Sequence, residues 1–177
     1  MADKNYFSHF GLEPTFNLDL AALKKSFLLL SRTYHPDFHT GESEESQAEN
    51  LELSSFNNLA YKTLQNFDLR FKYVLVLHGI DFEEGKQSLP QMFLMEMMDF
   101  NEKLMDVQME GDSIQIEGLK NELKVIEDGL WSDIEGILKN YKFESISASE
   151  LDQLKNYHLK KKYLLRIHEN LNKFGTG

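Results

Sequence analysis

An all-α fold is predicted by three features of the 177-residue chain. Apolar side chains recur every three or four positions, no stretch alternates apolar and polar residues as a strand would, and 10 glycines with 3 prolines leave little punctuation. A hydrophobic share of 41% is enough for a core, and the length suits one domain or two small ones. The pattern predicts an N-terminal helical hairpin followed by an antiparallel three-helix bundle, with the chain elbowed near Gly79 to Gly85.

The elements follow in order. Tyr6, Phe7, Phe10 and Leu12 form a short helix or turn that packs across the hairpin. Leu20, Leu23, Phe27, Leu30 and Tyr34 make the stripe of a first long helix, with Asn17 or Asp19 as N-cap. It must stop before Pro36, because proline pushes the residue ahead of it out of helical geometry. Residues 38–45 are polar and read as a loop. Leu53, Phe56, Ala60, Leu64 and Phe67 give the second helix of the hairpin, and Leu69, Tyr73, Val76 and Leu77 continue helically to Gly79. The polar stretch 81–89, containing Gly85, is the candidate linker, so the expected boundaries are 1–76, a linker 77–89, and 90–177. Pro90 suits the first turn of a helix running to about Gly111. Residues 113–140 form another helix, weakened by Gly118, Gly129 and Gly136, and the capping box Ser147-Ala148-Ser149-Glu150 opens a last helix reaching Asn172.

Composition removes several function classes. With no cysteine, disulfides, thiolate metal sites and cysteine nucleophiles are excluded. The N-terminus lacks a basic-then-apolar signal and no apolar run is long enough to span a bilayer, which predicts a cytoplasmic protein without a membrane role. A net charge of -10 argues against nucleic acid as a partner. Residues 81–135 carry 15 acids against 4 bases, and residues 139–173 carry 8 bases against 4 acids, as suits helices lying side by side in one bundle.

The sharpest local signal is His35-Pro36-Asp37, placed between the two hairpin helices. Proline stiffens the backbone, histidine offers a donor and an acceptor, and aspartate offers a charge that can accept a forked arginine bond. On the outward side of the preceding helix, Lys24, Lys25 and Arg32 make a basic strip leading to this loop. A lysine-bearing outer face is often simply solvated, and a given tripeptide arises by chance in about one per cent of chains this long. Its position between two helices of this length is the stronger argument.

Those residues carry a family resemblance. Residues 5–12, the amphipathic helix, Tyr34-His35-Pro36-Asp37 and Phe56-Asn57-Asn58-Leu59-Ala60-Tyr61-Lys62-Thr63-Leu64 resemble a J-domain. More narrowly, with residues 69–79 and Phe93-Leu94-Met95-Glu96-Met97, the chain is similar to the HscB (Jac-type) co-chaperones of iron–sulfur cluster assembly. The resemblance implies that His35, Pro36 and Asp37 contact a DnaK/HscA-type chaperone ATPase and stimulate it, with Lys24, Lys25 and Arg32 steering the encounter. The chemistry then belongs to the partner, so the chain is not expected to be an enzyme or to hold a cofactor or metal. J-domains commonly carry lysine directly after the tripeptide, where this chain has Phe38. The basic surface is correspondingly thinner.

Apart from Met1, every methionine falls between Pro90 and Gly111. Phe93, Met97, Phe100 and Leu104 make one stripe; Leu94, Met98, Met105 and Met109, with Asp99 and Glu102 among them, make a second. Both stripes could be core, since methionine fills gaps between helices. The other account is an apolar patch rimmed with acid that receives another protein. In the resembled family this region binds the iron–sulfur cluster scaffold protein. That implies Leu94 and Met98 as apolar anchors, Asp99 and Glu102 as charged neighbours, and Tyr157, Leu159 and Tyr163 as candidates for an aromatic contact on the last helix. Two sites on one rigid body would raise the effective concentration of scaffold at the chaperone.

Two other readings stand beside this one. The chain could be a J-domain co-chaperone for a different client, or, using His35, Asp37 and His39, a metal-dependent hydrolase; against the latter, no carboxylate is placed by sequence to orient either imidazole. His9, His78, His158 and His168 are scattered and suit caps, core edges or surface. Trp131 is expected to pack within the bundle, and Lys160-Lys161-Lys162 to be a solvated face, with nuclear targeting the alternative.

Overall fold

The computed structural model describes residues 5–41, 43–83, 86–111 and 113–174, and its regular elements are seven α-helices and one 3-10 turn among those residues. Gly85, expected inside the linker, lies outside the described residues. The chain divides into two compact units. The first runs to His78 and includes Tyr141–Glu144; the second comprises Gly79–Asn140 and the chain from Ser145 onward. The division falls within the stretch 77–89, and nothing in the sequence of 141–144 announces its place in the first unit.

The first unit holds α1 (Tyr6–His9), α2 (Leu20–Thr33), α3 (Glu44–Gln65) and α4 (Phe67–Leu77). Asp19 is the N-cap of α2, its carboxylate accepting from the amides of Ala21 and Ala22 at 2.8 and 3.1 Å. The apolar period runs on past Phe67, but the helix does not. Asn66 is extended and its side chain accepts from the Leu69 amide at 3.0 Å, so it closes α3 and caps α4. A proper N-cap thus interrupts a stripe that periodicity alone makes continuous.

Phe7, Phe16, Leu23, Ala60, Leu64, Phe71, Val74 and Leu75 form the core of this unit, none more than 2% exposed. Phe16 carries no periodic signal, because it sits in the irregular segment before α2; it packs on Phe71 and on Tyr141. Three stripe members, Leu20, Leu69 and Val76, stand 50%, 43% and 44% exposed, at the ends and outer edge of their helices. The His78 ring nitrogen Nε2 lies 2.7 Å from the Tyr141 hydroxyl. Burial pushes the phenol up and the imidazole down, which favours a neutral pair with the hydroxyl donating.

Two buried polar side chains fix the hairpin. Asn57, 1% exposed, donates to Ser31 Oγ at 3.0 Å and accepts from His9 Nε2 at 3.0 Å, tying α1, α2 and α3 together. Arg70, 5% exposed, donates Nε–H to the Phe16 carbonyl at 3.1 Å and Nη1–H to the Leu64 carbonyl. Leu64 lies in the last turn of α3, whose carbonyls have no partners within the helix, so the guanidinium serves as a C-terminal cap while anchoring the Phe16 segment. Arg70→Met keeps the bulk and strands two carbonyls. It should destabilise the first unit by about 3 kcal/mol, read as a lower urea midpoint in circular dichroism.

The second unit holds α5 (Gln91–Glu110), α6 (Ser113–Asn140) and α7 (Ala148–Phe174). Pro90 sits one residue before α5, as its N-cap, and Gly111 ends the helix at φ 70°, where a side chain would be strained. Gly118, Gly129 and Gly136 do not interrupt α6. The capping box forms as expected. Ser147 donates its amide and hydroxyl to the Glu150 carboxylate at 2.9 and 2.6 Å, which hold that carboxyl below its usual range. Phe93, Met97, Phe100, Leu104 and Val107 of α5 pack against Leu119 and Leu123 of α6 and Leu164, Ile167 and Leu171 of α7. Lys103 of α5 donates to Glu122 of α6 at 2.8 Å.

Candidate functional site

The tripeptide lies where α2 ends and a 3-10 turn, Pro36–Phe38, begins. Proline occupies the first position of that turn, where its missing N–H costs nothing. His35 is the N-cap: its Nδ1 accepts the Asp37 amide proton at 3.2 Å. That bond leaves the proton on Nε2, so the imidazole faces outward as a donor. The His35 and Asp37 side chains are 51% and 84% exposed, a donor and a carboxylate presented to solvent on a braced turn. The neighbouring His39 is engaged separately, through Nε2 to the Thr33 carbonyl at 2.7 Å. Among the described residues no group of three or more His, Asp or Glu side chains gathers to hold a metal ion.

Lys24, Lys25 and Arg32 are all exposed on α2. The structure adds what the basic pattern concealed. Leu28 and Leu29, 52% and 68% exposed, stand one turn beyond Lys24 and Lys25, so this face is basic and apolar together. Phe38 is 68% exposed, and beside it a groove is lined by Pro36, His39, Gln47, Ala48, Asn50 and Leu51. The spacing of Leu28 and Leu29 to the two lysines was the signal available in the sequence.

In the second unit, the two stripes of α5 separate cleanly. The first, extended by Val107, is buried, whereas Leu94, Met98, Met105 and Met109 are 38%, 62%, 64% and 87% exposed. Leu94, Met98 and Glu102 follow one another at single-turn spacing along this outer face, with Asp99 exposed at its side. The candidates on α7 differ from one another. Tyr157 is only 8% exposed and meets the edge of Trp131 at 6.1 Å between ring centres. Leu159 and Tyr163 are half-buried; the Tyr163 hydroxyl accepts from Asn101 at 3.3 Å and its ring meets Phe93 edge-on. Trp131 is 39% exposed, on the rim of the bundle instead of inside it. Lys160 lies over the Phe93 ring at 5.3 Å, so the lysine run is partly docked on its own bundle.

No helix among the described residues is long and apolar enough to cross a membrane. Residues 89–172 match the family described as the HSCB C-terminal oligomerisation domain. A co-chaperone protein HscB homolog of Neisseria meningitidis is 29% identical over 157 residues, covering 85% of this chain and 95% of the relative. One from Colwellia psychrerythraea is 37% identical over 109 residues, 61% of this chain and 62% of that protein. The crystal structure of human co-chaperone protein HscB superposes with a TM-score of 0.72 at 25% identity, covering 97% of this chain and 82% of the human one. Chaperone HscB from Vibrio cholerae gives 0.60 at 26% identity, over 95% and 99%. With the tripeptide on its hairpin and the α5–α7 bundle, these likenesses agree: over nearly its whole length the chain is similar to the HscB-type co-chaperones.

Proposed function

We propose that the chain is a cytoplasmic adaptor that brings an iron–sulfur cluster scaffold protein to a DnaK/HscA-type chaperone and stimulates the chaperone's ATPase. The observation that carries this reading is the braced turn at the end of α2. His35 spends one nitrogen on capping Asp37 and points the other outward, so imidazole and carboxylate reach a partner in a preset geometry. Lys24, Lys25 and Arg32 would steer an acidic partner surface, and Leu28 with Leu29 would add desolvated contact. The chain performs no bond chemistry itself. It shifts the chaperone's equilibrium by binding one of its states more tightly than the other.

The outer face of α5 supports the second half of the reading. Leu94 and Met98 are apolar and exposed while an equally apolar stripe on the same helix is buried, so the fold does not need them where they are. Asp99 and Glu102 give that patch its charge, and of the three α7 candidates Leu159 and Tyr163 keep more surface than Tyr157. Carrying both sites on one chain raises the effective concentration of scaffold at the chaperone. Steady-state ATP hydrolysis by the purified chaperone tests this. The chain alone should accelerate it, and adding the scaffold should raise the rate beyond the effect of either protein. Acceleration that ignores the scaffold favours a co-chaperone for a different client.

A further inference from the structure

Six of the seven methionines lie in α5. Met97 is sealed at 0% exposure, whereas Met92, Met95, Met98, Met105 and Met109 are 79%, 56%, 62%, 64% and 87% exposed. In a chain without cysteine, these thioethers are the exposed sulfur that a dissolved oxidant meets among the described residues. Three of the five, Met98, Met105 and Met109, fall on the outer face that carries Leu94.

We propose that the exposed sulfurs of α5, Met98 foremost, are a reversible oxidation site that switches this docking face off. The inference rests on the scaffold-binding reading above. Hydrogen peroxide supplies the oxidant: the sulfur lone pair attacks one peroxide oxygen, an S–O bond forms as the O–O bond breaks, and the displaced hydroxide leaves as water after proton transfer. Sulfur loses two electrons and the peroxide gains them. The product sulfoxide is a strong hydrogen-bond acceptor where an apolar side chain stood.

The surroundings make that change costly to bury. Of the polar side chains flanking Met98 along the helix, Asp99 and Glu102 are acceptors, Asn101 donates to the Tyr163 hydroxyl at 3.3 Å, and Lys103 is held by Glu122 at 2.8 Å. A sulfoxide at Met98 therefore finds its partners in water, which an apolar scaffold pocket would strip away. Met97, enclosed in the core, is protected, so the helix survives the change on its surface. Methionine sulfoxide reductase with a dithiol reverses the step, the sulfoxide oxygen leaving as water and the dithiol becoming a disulfide.

The test uses the full chain with graded hydrogen peroxide. Peptide mass spectrometry follows each methionine, circular dichroism follows helicity, and capture of the iron–sulfur scaffold protein follows function. The exposed methionines should oxidise well before Met97, capture should weaken about tenfold at unchanged helicity, and reductase should restore it. In Met98→Leu, whatever capture the variant has should lose a smaller fraction to oxidant. Capture that persists with Met98 fully converted overturns the inference, as does loss that appears only with loss of helicity, loss that reductase leaves in place, or a Met98→Leu variant as sensitive as the parent. Failure of the untreated chain to capture scaffold overturns the docking reading and this inference with it, and shows itself before any oxidant is added.

Discussion

Replacing His35 by glutamine should return the chaperone's ATPase to its unstimulated rate while the chain stays folded. The side chain is half-exposed and contributes nothing to the core, so its loss perturbs only the turn. An imidazole carries two nitrogens at opposite edges of a flat ring: Nδ1 caps the Asp37 amide and Nε2–H faces out. Glutamine has a flexible stem and one amide. It can cap the turn or present a donor, but it does not hold both in fixed register, and it spends side-chain entropy to do either. Truncating a central polar contact of this kind costs about 2 kcal/mol or more, roughly thirtyfold in affinity. Asp37→Asn should behave similarly, because the charge rather than the shape is removed. Steady-state ATPase with each variant, alongside its thermal unfolding curve, checks this. Undiminished acceleration by a folded His35→Gln chain would defeat the chaperone-binding assignment.

Much of the helical architecture was legible in the sequence because buried positions impose a period, and the tripeptide was legible because it is local. What periodicity lacks is any account of irregular backbone. Phe16 sits in a segment without a period and yet is fully enclosed; Asn66 interrupts a stripe by capping the next helix. Residues 141–144 join the first unit through aromatic contacts at Tyr141 and Phe143, which are specified in three dimensions and not along the chain. Arg70 and Asn57 look like surface residues by type, and burial is possible only because carbonyls and side chains far off in sequence satisfy them.

The basic strip shows a different shortfall. Lys24, Lys25 and Arg32 stand out by charge, but Leu28 and Leu29 between them carry no such signal, and their exposure makes the face amphipathic. On α5 the two stripes were visible but their fates were not. The decisive difference is that 93, 97, 100, 104 and 107 keep an unbroken alternation of four and three, the seam a packed helix needs. The outer set breaks this rhythm between Met98 and Met105, where Glu102 stands in the row.

That asymmetry sets up the sharpest separation of surface from core. Leu94→Ala with Met98→Ala removes two side chains that are 38% and 62% exposed, so the unfolding midpoint should hardly move, within about 0.5 kcal/mol per site. Capture of the iron–sulfur scaffold should nonetheless fall by about two orders of magnitude if these are the central anchors, since each truncation at such a position costs about 1 to 2 kcal/mol. Met97→Ala, one residue away and fully enclosed, should do the reverse. It opens a cavity against Leu123 and Leu164 and lowers stability by about 2 to 5 kcal/mol, and its effect on capture should track the folded fraction. Thermal unfolding and scaffold capture measured on the same preparations distinguish the two. Full-strength capture by the double variant would mean that the outer face of α5 is not where the scaffold docks.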